Sequence, residues 1–510
     1  MIRKTTHAAF FGAALTAAAL GLHDPADAAE SRAWKPGVAM GPGAQARGIS
    51  VILDHAYRHG IRLSTAQKPT HAAATDSDAS LKALFMRYAK AVGFGQIAPE
   101  TVRMSWDIPR SGFDESAARK AFDGNTLGSA LGALPPPHPG YARLVRALAR
   151  YRAIAAKGGW PRIPQGRSLS RGMGDPRVVV LRRRLAAEGA DRVPRSQSEA
   201  FDAKLEAAVI RFQRRHGLEP DGIVGPKTLT VLNVPVERRL SQILVNMERW
   251  RWLPRRLPAR RAEVNIAAAR LEVFDGPRLA FGMRVVVGSQ RHPTPVLESS
   301  IKAVILNPPW NVPDSIWRRE IFPKLRRDAD YLAAHRMEIV DRPNDPHGRQ
   351  IDWAAQRTPL AGIRIRQAPG PFNALGKVKF HTPNRFDVYL HDTPQRAFFK
   401  RAERALSHGC IRLQRPYKLL AYLIPGKRLR GNSSGPQTAS RMTTKTLSVD
   451  RALPVFILYW TTSARRDGTV RFYNDIYGHD SRMTAALEQP GRSISPDFLA
   501  SGCGGKRSET

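Results

Sequence analysis

FDVYLHDTP at residues 386–394 and LSHGCIRL at residues 406–413 are the two stretches on which the interpretation of this sequence depends. In the stretch at 386–394 the apolar residues Phe386, Val388 and Leu390 alternate with others, and this period of two predicts a strand over residues 386–390. Successive side chains of a strand point to opposite faces. Tyr389 and His391 are therefore expected on the face away from the core, with His391 at the end of the strand.

The second stretch has the same pattern around a cysteine. Ile411 and Leu413 are the apolar positions of a short strand, so Cys410 and Arg412 share its opposite face. Gly409 allows a tight bend and leaves the backbone unobstructed just before the thiol.

A cysteine becomes a nucleophile when nearby positive charge favours its thiolate and a base can take its proton. His391, His408 and Arg412 are the groups available to Cys410. Each residue alone has a plainer interpretation, because a lone cysteine is commonly a small buried hydrophobe and a lone histidine a surface side chain. Their combination favours a nucleophilic site.

The composition of the chain limits the classes to which it can belong. It has 510 residues, with 81 Lys and Arg against 43 Asp and Glu, and a formal net charge of +38. Hydrophobic residues make up 42%, too many for a wholly disordered protein, and the length suggests about three domains. Two cysteines exclude a disulfide scaffold and a Cys-rich metal site. The charge alone suggests a polyanion partner such as nucleic acid.

The N-terminus has the pattern of a secretory signal peptide over residues 1–28. Arg3 and Lys4 precede an apolar run of 15 residues at 8–22, and Ala26-Asp27-Ala28 supplies a cleavage site. The run is too short to span a bilayer, and no other segment reaches 18 apolar residues. The mature protein is expected to be exported and to lack a transmembrane anchor.

The patterning along the chain predicts a multidomain α+β protein. Residues 29–165 are expected to form a helical scaffold with linkers, and residues 171–236 a compact unit of three helices. Asp202 is the predicted N-cap of the second of these helices, and Gly217 is predicted to end it. Short runs rich in Val and Ile begin at residue 262 and recur to residue 480, which predicts a β-rich domain. Residues 486–510 are expected to be a disordered tail.

Several other motifs lack the context that their chemistry needs. GNSSG at residues 431–435 matches the G-x-S-x-G pattern of a nucleophile elbow, but no apolar strand leads into it. Residues 370–377 have one residue too many for a phosphate loop, with Val378 where Mg²⁺ coordination requires Ser or Thr. The chain has no H-E-x-x-H. No metal and no cofactor is predicted.

His391, fifteen intervening residues and then Ser407-His408-Gly409-Cys410 resemble the signature of the L,D-transpeptidase catalytic domain of bacterial cell-wall enzymes. Residues 171–236 resemble the peptidoglycan-binding helical domain, and the chain as a whole resembles the large periplasmic branch of the family over roughly residues 80–480. In the three-helix unit the likeness rests on FQ at 212–213, GL at 217–218 and DGIVGPKT at 221–228. Elsewhere it rests on NMERWRW at 246–252, NPPWNVP at 307–313, GPFNALG at 370–376 and DIYG at 475–478.

The resemblance implies a role for each residue of the two stretches. Cys410 is the nucleophile, His391 is the general base, and backbone N–H groups around Gly409 and Cys410 stabilise an oxyanion. Arg412 stands where many relatives have Asn, and its fork geometry suits a substrate carboxylate. Ser407 and His408 complete the substrate-binding and oxyanion loop, where His408 is either structural or polarising. The resemblance also implies a subdomain over residues 311–369, inserted in the catalytic domain at 262–480, that caps the active site.

The reaction implied is acyl transfer between peptidoglycan stem peptides in the periplasm, through a thioester that releases D-alanine. Water in place of the acceptor amine would make the protein an L,D-carboxypeptidase, and a degenerate site would leave a non-catalytic peptidoglycan-binding scaffold. A secreted nucleic-acid binder predicts basic residues concentrated in one recognition module, whereas here they are spread along the chain. The acceptor amine and the oligomeric state stay open.

Overall fold

A computed structural model describes residues 42–63, 77–110, 112–124, 126–189, 193, 196–425 and 443–489. The predicted signal peptide, the GNSSG segment and Cys503 lie outside these residues. Of the predicted tail only residues 486–489 are described, and residues 486–488 form the last turn of a helix rather than disordered chain.

The helices occupy the N-terminal half, the inserted segment and the C-terminus. They are α1 (Pro42–Arg58), α2 (Ser77–Phe94), α3 (Glu115–Gly124), α4 (Leu127–Ala133), α5 (Pro139–Ala156), α6 (Arg177–Ala187), α7 (Ala203–Arg215), α8 (Pro226–Leu232), α9 (Val236–Arg251), α10 (Asp314–Ile316), α11 (Phe322–Leu325), α12 (Tyr331–Ala334), α13 (Pro416–Leu423) and α14 (His479–Glu488). A π-helical turn at Trp317–Ile321 joins α10 to α11, and 3₁₀ turns lie at Glu100–Val102 and Arg396–Lys400.

Nearly all of the strands belong to the second half of the chain. They are β1 (Trp106–Asp107), β2 (Arg260–Asn265), β3 (Arg270–Asp275), β4 (Arg278–Gly288), β5 (Val296–Leu306), β6 (Trp310–Asn311), β7 (Met337–Ile339), β8 (Ile365–Gln367), β9 (Val378–His381), β10 (Leu390–His391), β11 (Ala405–Ser407), β12 (Ile411–Leu413), β13 (Lys445–Leu458), β14 (Thr462–Ala464) and β15 (Val470–Phe472). The prediction of a multidomain α+β protein with a β-rich domain is confirmed.

The main sheet closes on itself. Its strands run in the order β1-β5-β13-β2-β3-β4-β12-β10-β9, and β9 pairs with β5 as well as with β10. The apolar side chains inside this ring form the largest hydrophobic cluster of the described chain, which includes Val264, Val285, Leu390, Ile411 and Val455. Because β10 and β12 lie side by side in the ring, the two stretches that were distant in sequence become neighbours.

The strand predicted over residues 386–390 is wrong in extent, since β10 begins at Leu390. The side chain of Asn384 accepts from the backbone N–H groups of Phe386 and Val388 and donates to the carbonyl of Val388. Asp387 has a φ of 52°, in the left-handed region. These contacts turn the backbone at residues that the alternation alone assigned to a strand, because Asn side chains compete with sheet pairing for backbone groups.

The three-helix unit has its own core and caps. Asp202 accepts from the backbone N–H of Leu205 at 2.8 Å, as predicted from its position before α7, and Gly217 ends that helix with a φ of 67°. Leu181, Val209 and eleven other buried side chains pack between α6, α7, α8 and the segments that flank them.

A buried ion cluster lies inside this unit. Glu188 accepts from Arg184 at 2.9 Å and from Arg215 at 2.6 Å, and side-chain exposure is 1% for Glu188, 0% for Arg184 and 7% for Arg215. Arg184 also donates to the carbonyl of Leu232 at the end of α8. Although burial opposes it, the two arginines hold the pKa of the Glu188 carboxyl far below its usual range.

The cap segment (residues 311–369) has a separate core around Trp317, Ile321, Leu332 and Trp353. Its small sheet has the order β6-β8-β7. No helix among the described residues is long and apolar enough to cross a bilayer.

Replacing Glu188 by Gln should lower the free energy of unfolding by about 3–5 kcal/mol, because two arginines would stay buried without a carboxylate. The wild-type contribution is present above the pKa of an unfolded glutamate and is lost as the pH falls toward the lower folded value. Urea unfolding of both proteins at neutral pH measures the difference. Glu115→Gln is the matched control, since Glu115 forms an exposed pair with Arg119 on α3 and should contribute less than about 1 kcal/mol. Equal losses in the two variants would contradict the assignment.

Candidate active site

Three neighbouring strands hold the candidate site. In the parallel pair β10–β12, Leu390 lies opposite Ile411 and His391 opposite Arg412, and in the antiparallel pair β10–β9, His391 lies opposite Lys379. Leu390 and Ile411 are fully buried, which confirms the predicted core face. The opposite face of the three strands therefore presents Lys379, His391 and Arg412 together.

The loop before the cysteine is braced by hydroxyl groups. Gly409 has a φ of 113°, which favours glycine, and its N–H donates to the Ser407 hydroxyl oxygen at 3.2 Å. The Ser407 hydroxyl donates to the carbonyl of Cys410 at 2.6 Å, and the Thr294 hydroxyl donates to the carbonyl of Gly409 at 2.6 Å. Ser407 is 2% exposed, so its side chain positions the loop from within.

The thiol lies in a mostly buried and cationic environment. The Cys410 Sγ is 3.7 Å from the carbonyl oxygen of Asp387, and the Lys379 Nζ is 3.8 Å from the ring centroid of Tyr389. Burial raises the pKa of the Cys410 thiol, whereas Tyr389, Lys379 and Arg412 oppose that rise. Lys379 and Arg412 thus offset part of the cost of forming a thiolate here.

His391 is 4% exposed, and its Nδ1 contacts the carbonyl oxygen of Asp392. A carbonyl can only accept, so this contact requires a proton on Nδ1, and the backbone of Leu375 also interacts with the ring. Burial, together with the charge of Arg412, lowers the pKa of His391 to about 3. The imidazole is therefore neutral at physiological pH and can accept a proton.

The segment that carries His391 is fixed by the next residue. The Asp392 carboxylate accepts from the backbone N–H of Lys377 and from Arg396, both at 3.0 Å. Gly376 has a φ of 63°, and a Cβ at that position would lie 2.5 Å from the Asp392 Oδ2. Only glycine fits there, which explains why a glycine ends the GPFNALG segment.

Arg412 has one of its donors occupied and another without a partner. Its Nη1 donates to the Gln395 side chain at 2.6 Å, while its Nε is buried with no hydrogen-bond partner. Burial lowers the pKa of the guanidinium, and Cys410 opposes that change. Because the residue is partly exposed, the guanidinium can also bind an acceptor on a ligand.

His408 lies at the contact between the loop and the cap segment. Its Nε2 contacts the Glu320 carboxylate, and its ring centroid is 4.7 Å from that of His292. Glu320 belongs to the π-helical turn of the cap segment, so this pair connects that segment directly to the residue two positions before Cys410.

The structure brings Cys410, His391 and Arg412 to the cationic face and holds Ser407, His408 and Gly409 in the loop before the cysteine, where the His408 side chain contacts the cap segment. The sequence analysis missed Lys379 and Glu320. A local signal for Lys379 exists, since it stands between the apolar residues Val378 and Phe380 and so belongs on the opposite face of a strand. The contact of Glu320 depends on tertiary packing and leaves no local signal.

Among the described residues no group of three or more His, Cys, Asp or Glu side chains is placed to hold a metal ion.

Family comparisons assign most of the chain. Residues 259–430 match the YkuD family of L,D-transpeptidase catalytic domains. The chain carries an L,D-transpeptidase catalytic domain. Residues 174–232 match a family of proposed peptidoglycan binding domains, and residues 38–148 match a scaffold domain. These matches confirm the resemblance of the catalytic domain and of the three-helix unit.

A curated Haemophilus influenzae protein, whose name proposes an L,D-transpeptidase, is 34% identical over 226 residues. That match covers 44% of this chain and 45% of the relative, so the chain spans about half the length of the relative. Solved L,D-transpeptidase structures from Stackebrandtia nassauensis and Xylanimonas cellulosilytica are each 14% identical to this chain. The first covers 61% of this chain and 99% of its own with a TM-score of 0.24, and the second 58% and 99% with a TM-score of 0.19.

Replacing Lys379 by Met should raise the pKa of the Cys410 thiol, because a cation that favours the thiolate is removed. Alkylation of Cys410 by iodoacetamide should therefore slow at neutral pH, and its pH profile should move to higher pH. Lys377→Met is the matched control, since Lys377 is two residues away and its side chain is exposed. An identical profile for wild type and Lys379→Met would show that this lysine does not act on the thiol.

Proposed function

We propose that the protein is a cysteine-dependent acyltransferase that joins third-position residues of two peptidoglycan stem peptides and releases D-alanine. The observation that supports this proposal is the position of Cys410, on the same sheet face as a neutral His391 and the cations Lys379 and Arg412, in a domain of the L,D-transpeptidase family.

In the first half of the reaction the Cys410 thiol transfers its proton to His391, and the sulfur attacks the carbonyl of the third residue of a tetrapeptide stem. The peptide bond to the terminal D-alanine breaks. His391 returns the proton to the departing amine, and the stem stays bound to Cys410 as a thioester. The backbone N–H of Cys410 would donate a hydrogen bond to the oxyanion that forms when the sulfur attacks. The N–H of Gly409 is bonded to the Ser407 hydroxyl in this conformation.

In the second half an amine from a neighbouring stem attacks the thioester carbonyl and transfers a proton to His391. The carbon–sulfur bond breaks, the proton returns to the sulfur, and a new peptide bond joins the two stems. The guanidinium of Arg412, which is partly exposed on the face that carries Cys410, would bind a carboxylate of the donor stem. If water replaces the amine, the same intermediate gives L,D-carboxypeptidase activity, which is the alternative reaction of this site.

We also propose that the protein acts outside the inner membrane, in the periplasm, because the first 28 residues have the pattern of a signal peptide. A non-catalytic wall-binding scaffold is the remaining alternative. The braced loop around Cys410 and the tautomer of His391 favour catalysis, since a binding protein does not require either feature.

Purified protein should convert disaccharide-tetrapeptide into cross-linked dimer with loss of D-alanine, and Cys410→Ala should reduce this by at least about a thousandfold because the acyl carrier is lost. Mass spectrometry of the products measures both the dimer and the released D-alanine. A carbapenem should leave a covalent adduct on Cys410, as the family resemblance implies. Cys503→Ser is the matched control and should retain activity. Unchanged cross-linking in Cys410→Ala, or an adduct on Cys503, would refute the assignment.

Replacing Glu320 by Gln should increase hydrolysis relative to cross-linking, because it weakens the contact of the cap segment with His408 and admits water to the thioester. The ratio of tripeptide to dimer, from one mass-spectrometric run, measures this partition. Glu338→Gln removes another carboxylate of the cap segment, one paired with Arg366 and not with the catalytic loop, and should leave the ratio unchanged. A wild-type ratio in Glu320→Gln would mean that the contact does not exclude water.

A further inference from the structure

A groove separates the three-helix unit from the L,D-transpeptidase domain. Its volume is about 810 Å³, within the usual range for ligand sites. One wall is formed by the end of α7 and the residues that follow it, and the other by residues 266–270 and 400–406 of the catalytic domain. Arg471 of β15 and residues 473–476, which follow that strand, form the floor.

The groove is strongly basic. Seven Lys and Arg side chains line it against three carboxylates: Arg214, Arg270, Arg284, Lys400, Arg401, Arg404 and Arg471 against Glu219, Glu403 and Asp475. Arg404 is committed to the fold, because it donates to the carbonyls of Ala402 and Ala268 among others. Arg214, Lys400 and Arg401 are exposed, and they come from both walls. Charges placed in this way attract an extended anion rather than a single small one.

Specific contacts hold the three-helix unit against the floor of the groove and against the opposite wall. Gly217 has a φ of 67°, and a Cβ at that position would lie 3.3 Å from the Tyr473 ring. His216 stacks on Phe472 with ring centroids 5.7 Å apart. The Lys227 Nζ reaches the Glu403 carboxylate at 2.7 Å from the other wall, so one of the three acidic groups is already neutralised. The groove is thus a product of domain packing.

The groove leads to the catalytic loop. Leu406, which lines it, directly precedes Ser407. Gln290 lines both this groove and an adjoining cavity of about 430 Å³, and the adjoining cavity is lined by His408 and Gly409. An extended ligand in the groove can therefore place one end beside the loop that carries Cys410.

We propose that this groove binds the second peptidoglycan strand, the one that supplies the acceptor amine, through the carboxylates of its stem peptides. The inference rests on the proposed function, since an acceptor has meaning only for a transferase. Carboxylates match arginine in geometry and charge, and several exposed pairs along a strand give an affinity that falls with salt. The family match of the three-helix unit favours peptidoglycan over nucleic acid as the anion. On this basis the unit forms one wall of a substrate site and is not a spacer.

The test compares a groove variant, Arg214→Gln with Lys400→Gln and Arg401→Gln, with a control variant of equal charge, Arg162→Gln with Arg256→Gln and Arg342→Gln. The control residues are exposed and lie outside the groove. Binding of un-cross-linked glycan chains with tetrapeptide stems is measured in the Cys410→Ala background across a salt series. Acylation of Cys410 by a single disaccharide-tetrapeptide and formation of the cross-link are measured with the native cysteine.

The groove variant should bind the glycan chains roughly tenfold more weakly, with a shallower salt dependence, because three exposed charge contacts are lost. Cross-linking should fall by a similar factor while acylation by the single stem stays at the wild-type rate. The control variant should match wild type in all three measurements.

Equal binding losses in the two variants would overturn the proposal, because charge would then act without regard to position. So would a groove variant that loses binding of a DNA oligonucleotide but keeps binding of the glycan chains, which would point to nucleic acid. If wild-type Cys410 is not acylated at all, the proposed function fails, and the binding measurements in the Cys410→Ala background still decide whether the groove holds a peptidoglycan strand.

Discussion

The parallel pairing of Leu390 with Ile411 is the constraint on which the site depends. Both side chains are fully buried in the core of the closed sheet, so neither strand can shift by one residue without moving an apolar side chain to the other face. The same register places His391 beside Arg412. It also places the thiol of Cys410, two residues before Arg412, on the face that these two side chains share. Each of these strands is only two or three residues long, and the core rather than the ladder holds them in register.

The electrostatics of the site balance burial against two cations. Burial alone would leave the Cys410 thiol protonated, and it also keeps His391 neutral. A neutral imidazole can accept a proton from a half-buried thiol more readily when the resulting thiolate is stabilised by nearby positive charge. Lys379 and Arg412 supply that stabilisation from the two neighbouring strands, at positions directly opposite His391 in both ladders. The relative positions of His391, Cys410, Lys379 and Arg412 are thus consequences of one strand register.

The sequence predicted the parts of this arrangement that depend on local pattern. Alternation around Ile411 assigned the correct faces, and the caps of α7 at Asp202 and Gly217 were correct because side-chain and backbone rules of one helix determine them. The strand at 386–390 was overextended, since the Asn384 side chain bonds the backbone that alternation assigned to a ladder. The contact of Glu320 with His408 joins residues 88 positions apart and no periodic pattern encodes it. Local pattern thus specified which face a residue occupies, whereas the partner on that face came from packing.

The net charge of +38 is the excess left after every carboxylate is counted, and by itself it does not locate a partner. Arg184, Arg249 and Arg251 are almost fully buried, and each pairs with a carboxylate inside the fold. Arg251 and Glu248 also join α9 to the scaffold, because Glu248 accepts from the backbone N–H of Ile97. Buried arginines of this kind satisfy carbonyl and carboxylate oxygens where domains meet, and a buried, paired charge contributes little to attraction at a distance. The charges that remain available to a ligand are the exposed ones, and their positions are more informative than their total. Three of them line the groove between the three-helix unit and the catalytic domain, beside the loop that carries Cys410.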